Sequence, residues 1–120
     1  MHIAVLPLAR PTFDVAFARE THAAMQAALR ETGHRLSGPE ALLLDAEAAA
    51  AARDAALGDD PDLILILQVT FTDAAFLGDL ASKTDVPLAI WAPPEPRLGG
   101  RLRLNAFCGL NLAAHALGRR

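Results

Sequence analysis

Short blocks of consecutive apolar residues alternate along this chain with longer stretches in which apolar positions recur every three or four residues. His2-Ile-Ala-Val-Leu6 is a first block, apolar without the two-residue alternation of a half-buried strand, so it predicts a strand covered on both faces. Pro7 is expected to end it. Leu8 to Asp14 reads as a loop with Asp14 as N-cap of a helix from Val15 to Thr32, whose Ala18, His22, Met25 and Leu29 form one apolar stripe. Gly33 suits the position just after that helix. His34 to Ser37 predicts a short strand near a sheet edge, followed by a Gly38-Pro39-Glu40 turn. Asp45 is placed to cap a second, Ala-rich helix running to Leu57, with Gly58 as its stop.

Leu63 to Gln68 is the strongest strand of the sequence, with five successive apolar residues, and is expected at the sheet centre. Thr72 or Asp73 caps a third helix from Ala74 to Ser82, and Val86 to Trp91 forms a fourth strand. An irregular segment from Ala92 to Arg103 holds three prolines and Gly99-Gly100. Asn105 is then placed to cap a last helix from Phe107 to Leu117. The βαβαβαβα order predicts one α/β domain over residues 1–120, a three-layer open parallel sheet of about four strands, flavodoxin/Rossmann-like.

Composition narrows the function classes. The 120 residues are 52% hydrophobic and 21% charged, a globular balance with one core. The net charge of −3 and the absence of Tyr, with aromatics at 5%, argue against a nucleic-acid partner. No apolar run approaches the length of a membrane helix, and no leader pattern opens the chain, so a cytoplasmic protein without a membrane partner is expected. The charge is uneven: residues 93–120 carry +4 and residues 1–92 carry −7. A basic segment on an acidic body suits a small polar or anionic ligand, or a subunit contact.

In an open parallel sheet, ligands sit beyond the carboxyl ends of the strands, where the strand order reverses. Residues 8–14, 68–73 and 92–105 lie there and hold most of the unusual polar chemistry. Arg10 is a candidate bidentate partner for a carboxylate, phosphate or sugar hydroxyl, with an ion pair to Asp14 or Glu95 as the structural alternative. Thr70, Thr72 and Asp73 line the next loop, Asp73 doubling as a helix cap. Glu95, stiffened between prolines, is the best-placed general base or hydroxyl acceptor. Trp91 is core or a platform for a sugar ring, and Asn105 closes the last loop. Gly99-Gly100 between Arg97 and Arg101 resembles an anion nest. Cys108, the lone cysteine, reads as a small packed thiol. The four histidines, His2, His22, His34 and His115, are scattered without metal-ligand spacing, so the chain alone is expected to bind no cofactor.

Three segments carry a resemblance: Leu6-Pro-Leu-Ala-Arg-Pro-Thr-Phe-Asp14, Gln68-Val-Thr-Phe-Thr-Asp-Ala-Ala-Phe76, and Trp91-Ala-Pro-Pro-Glu-Pro-Arg-Leu-Gly-Gly-Arg-Leu-Arg-Leu-Asn105 running on through Cys108-Gly-Leu-Asn-Leu-Ala-Ala-His-Ala-Leu117. Together they resemble the N-terminal domain of L-fucose isomerase-like proteins, in the L-fucose/L-arabinose isomerase superfamily. The resemblance implies a multi-domain, oligomeric aldose–ketose isomerase acting on a sugar through an enediol. A divalent metal, typically manganese, is implied for the family, held by two carboxylates and a histidine of later domains. No metal ligand and no catalytic base is carried over to this chain, which is expected to be inactive alone, as an excised domain or a short relative whose catalytic domains are separate. The resemblance implies a domain that shields the substrate of a neighbouring subunit and joins a homo-oligomer, with Arg10 as the residue that has a family counterpart and Thr70 to Asp73 as a second wall by position. The alternative reading is a small polyol- or anion-binding module or a structural interaction module of the same fold.

Overall fold

A computed structural model describes residues 1–119. The elements are β1 (His2–Leu8), α1 (Val15–Glu31), β2 (Arg35–Ser37), α2 (Ala46–Gly58), β3 (Leu63–Gln68), α3 (Ala75–Ala81), β4 (Leu88–Trp91) and α4 (Ala106–Gly118). The four strands form one sheet in the order β2-β1-β3-β4, parallel throughout. β1 and β3 are the inner strands. Every residue of β1 is buried, as an apolar block covered on both faces requires.

Pro7 does not end β1; it continues the strand, paired in register with Leu67. A strand residue turns its N–H and C=O to the same neighbour, and Pro7 turns to the side where β2 has already ended. Its missing N–H therefore deprives no ladder partner, and its carbonyl accepts from Leu43 N–H at 2.8 Å. Past β2, the bridge between Leu8 and Leu43 takes over that edge.

Asp14 Oδ1 accepts from Phe17 N–H at 3.0 Å and Asp45 Oδ1 from Ala48 N–H at 2.8 Å, so the caps predicted for α1 and α2 form, while α3 and α4 have no side-chain cap. The buried stripe of α1 is Ala18, His22, Met25 and Leu29. Within it, Gln26 donates its side-chain N–H to His22 Nε2 at 3.0 Å, which requires a neutral ring. Burial, reinforced by the nearby Arg30 charge, also pushes His22 below the usual histidine pKa.

Two apolar clusters flank the sheet. One joins Ile3, Val5, Leu65, Leu67 and Val69 to α1; the other joins Leu6, Ile64 and Ile66 to α2 and α3. α4 touches both: its Ala106 belongs to the first cluster and its Ala113 to the second. Its Gly109 packs against the Gln68 side chain and the Phe71 backbone, so the helix seats on the carboxyl end of β3.

Candidate functional site

β1 leads to β2 on one side and α2 then carries the chain back to β3 on the other, so the order reverses between β1 and β3. An open parallel sheet opens its crevice beyond the carboxyl ends of these two strands. Here a cleft of about 510 Å³ lies there, lined by Arg10, Asp45, Arg53, Thr72, Asp73 and Phe76 among others. The starts of α2 and α3 form its two sides.

The carboxyl ends of β1 and β3 are sewn together by polar contacts. Arg10 N–H donates to Thr70 Oγ1 at 2.8 Å, and the Arg10 guanidinium forms an ion pair with Asp73. The same guanidinium lies 5.5 Å from the Phe71 ring centre, over its face. Arg10 therefore pairs with neither Asp14 nor Glu95; the ion-pair alternative drawn from sequence holds with a different partner. About 38% of the Arg10 side chain and 61% of Asp73 are exposed, so a donor fork and a carboxylate both face solvent. Asp73 also accepts from Ala75 N–H at 3.1 Å, in place of a formal side-chain cap on α3.

Gln68 and Thr70 are wholly buried. Gln68 Nε2 donates to Thr70 O and to Thr72 Oγ1, both at 2.8 Å, which fixes the Thr72 hydroxyl at the cleft. Gln68 Oε1 has no hydrogen-bond partner among the described residues. Thr70 is thus a frame residue whose hydroxyl receives Arg10 N–H and donates to Phe71 O at 3.1 Å.

The remaining predicted residues do not join this cleft. Glu95 is corrected as a general base: its carboxylate accepts backbone N–H bonds from Arg103, Leu104 and Asn105, the last at 2.8 Å. Partial burial raises its pKa, but the N–H donors of Asn105, Arg103 and Leu104 outweigh that and hold it below the usual glutamate value. The carboxylate clasps its own loop. Asn105 is corrected as a side-chain cap: it sits at the start of α4 with φ 53°, left-handed, and makes no capping bond. Trp91 ends the edge strand and does not line the cleft. Cys108 is exposed on α4, not packed. Gly99 and Gly100 both take positive φ in an exposed loop, and Arg97 and Arg101 make no ion pair among the described residues.

One group escapes the sequence reading. Arg53 faces the cleft from the Ala-rich α2, its guanidinium held by Asp54 and Asp79. A single cation inside a run of alanines was the available signal. Arg103 Nε donates to Asp14 Oδ2 at 3.0 Å while its guanidinium lies 3.8 Å from the Phe17 ring centre. The Phe17 N–H first, and Arg103 second, lower the Asp14 pKa. This pair ties the 92–105 loop to the start of α1.

Among the described residues no group of three or more His, Cys, Asp or Glu side chains sits together to hold a metal. The manganese implied by the resemblance has no donor set of that kind among the described residues. Among the described residues no helix is long and apolar enough to cross a membrane.

The family described as fucose/sulfoquinovose isomerase, N-terminal domain, matches residues 4–120. The chain is similar to the sulfoquinovose isomerase of Priestia aryabhattai, 30% identical over 112 residues, covering 93% of this chain and 25% of that protein. It is similar to those of Alkalicoccus urumqiensis, at 30% identity over the same length, and Clostridium sp. (strain MSTE9), at 30% over 116 residues. The chain spans about a quarter of the length of these curated relatives. No solved structure matches significantly.

Proposed function

The chain belongs to the fucose/sulfoquinovose isomerase N-terminal domain family, and from that premise we propose that it forms one wall of a sugar pocket completed by other domains or subunits, and joins copies of the protein to one another. The observation that carries this reading is the Arg10–Asp73 pair at the strand-order reversal, half exposed, with the Thr72 hydroxyl beside it. A guanidinium donates to sugar hydroxyls or an anionic substituent, and a carboxylate accepts from hydroxyls, so the pair reads a polyol from both sides. The wall supplies binding and exclusion of water. Proton transfer and metal chemistry belong to groups outside this chain.

The sulfoquinovose isomerases it resembles suggest an aldose as substrate. Titration of the isotope-labelled chain with pentoses, deoxyhexoses and sugar phosphates, followed by amide NMR, tests this. We expect weak binding, on the order of millimolar because only one wall is present, with shifts at residues 10 and 70–73 that vanish in Arg10→Ala. Shifts confined to other surfaces overturn the reading. Tight binding by the isolated chain, on the order of micromolar, favours instead a self-sufficient polyol- or anion-binding module.

A further inference from the structure

A second cavity, of about 470 Å³, lies on the flank of α1 nearest β2, with residues 40–44 as its opposite wall. Gly38, at φ 116°, turns the chain out of β2, and Leu42 and Leu44 then pack against the α1 cluster. α1 lines the cavity with Arg19, His22, Gln26 and Arg30, spaced three or four residues apart and so on one stripe of the helix. Three features of this cavity call for a ligand. His22 is only 5% exposed, and because its Nε2 accepts from Gln26, the ring proton sits on Nδ1. That N–H has no partner among the described residues, and Gln68 Oε1 is their one sealed, unpaired side-chain atom, so the His22 donor opens on the cavity. Second, the exposed Arg19, Arg30 and Glu40 form no ion pair among the described residues. The Arg30 charge still bears on the His22 ring, about two turns back along α1. Third, cations, a ring N–H, an amide and a carboxylate share one cavity with the apolar Leu42 and Leu44. That mixture suits a ligand with both an anionic group and hydroxyls.

We propose that this cavity binds a phosphorylated polyol. Two unpaired guanidiniums match a phosphate dianion better than a carboxylate monoanion, and arginine donates to phosphate through its planar fork. Arg30 takes the phosphate and Arg19 adds to the positive field. The polyol hydroxyls accept from His22 Nδ1–H and donate to Glu40 and to Gln26 Oε1. Such a ligand relieves a cost the cavity carries, a buried donor left unpaired. The volume lies within the roughly 300–1,000 Å³ of small-molecule pockets. The site is independent of the sugar wall: this cavity and the cleft beyond β1 and β3 share Leu44 and no polar side chain.

NMR titration of the isotope-labelled 120-residue chain tests it, with a hexose phosphate, the free hexose, the corresponding sugar acid and inorganic phosphate as probes. The hexose phosphate should move the amides of residues 19–30 and 38–44 and the imidazole nitrogens of His22. Its dissociation constant should be on the order of a millimolar or below and should rise with added salt. The other three probes should bind more weakly, by about fivefold or more, since each lacks one half of the recognised chemistry or half of the charge. Arg30→Gln should raise the dissociation constant by about fivefold or more, and Arg19→Gln by less. Both side chains are exposed, and circular dichroism checks that each variant is folded. Arg10→Ala should leave these shifts unchanged. Absence of binding at this cavity overturns the proposal, as do shifts confined to residues 10 and 70–73. So does equally tight binding of inorganic phosphate or of the sugar acid, or a hexose phosphate affinity indifferent to both arginine variants. Shifts at residues 19–30 without any at residues 10 and 70–73 overturn only the pocket-wall reading.

Discussion

Glu95 shows how one residue can be singled out for the right reason and given the wrong task. Prolines on both sides do aim its carboxylate, but they aim it at three backbone N–H groups of its own loop. Bonds to a charged acceptor are individually the stronger kind, and this carboxylate is only partly buried. Glu95→Gln places an amide N–H against these donors and should cost about 1–2 kcal/mol in urea unfolding at neutral pH. Its folded pKa is depressed, so the stability it contributes is fully present above the unfolded glutamate value of about 4.3 and is lost as pH falls through the lower folded value. Wild type and variant should therefore converge in acid. A gap that persists unchanged below that range refutes the clasp. Gly38 acts at the same scale: at φ 116° with a Cβ position 2.2 Å from Val5 O, it lets β2 pass against β1. Gly38→Ala should detach β2, read as lost amide protection at residues 35–37.

At the scale of the element, α4 is the informative helix. Glycine inside a helix is ordinarily a liability of about 1 kcal/mol against alanine. At Gly109 the sign reverses, because a Cβ would sit 3.0 Å from Gln68 Nε2 and 3.1 Å from Phe71 Cα. Gly109→Ala should destabilise by about 1–2 kcal/mol, overpacking outweighing propensity. It should also disturb Thr72, since Gln68 holds that hydroxyl. Thermal unfolding decides it: a stabilised Gly109→Ala means that α4 does not rest on the end of β3. The same seating explains why Leu104 and Ala106 are buried beside the α1 cluster while Ala113 lies with α2 and α3.

For the whole molecule, the sheet order places a crevice beyond the carboxyl ends of β1 and β3. The crevice gathers Arg10, Thr72 and Asp73, whose chain positions are more than sixty residues apart between the first and last. In the reading proposed above, these groups serve sugar recognition. The isolated chain assayed with manganese and a panel of aldoses should give no turnover above background; robust isomerisation by these 120 residues would refute the reading of a single wall.

Periodicity and capping determined the elements, their order and the parallel sheet, because these depend on local sequence: an apolar block, an aspartate before a helix, a glycine after one. Even the stripe Ala18, His22, Met25 and Leu29 was legible, since 3.6-residue spacing is a property of the helix alone. Which polar groups meet was left to the tertiary structure. Arg10 had several carboxylates within plausible reach on paper, and only the pairing of β1 with β3 brings it to Asp73 and turns Asp14 to Arg103. Pro7 stays in its strand because β2 stops short, and Glu95 faces inward because its loop folds back on it. Contacts of this kind depend on how strands and loops are arranged in space, which no window along the chain contains.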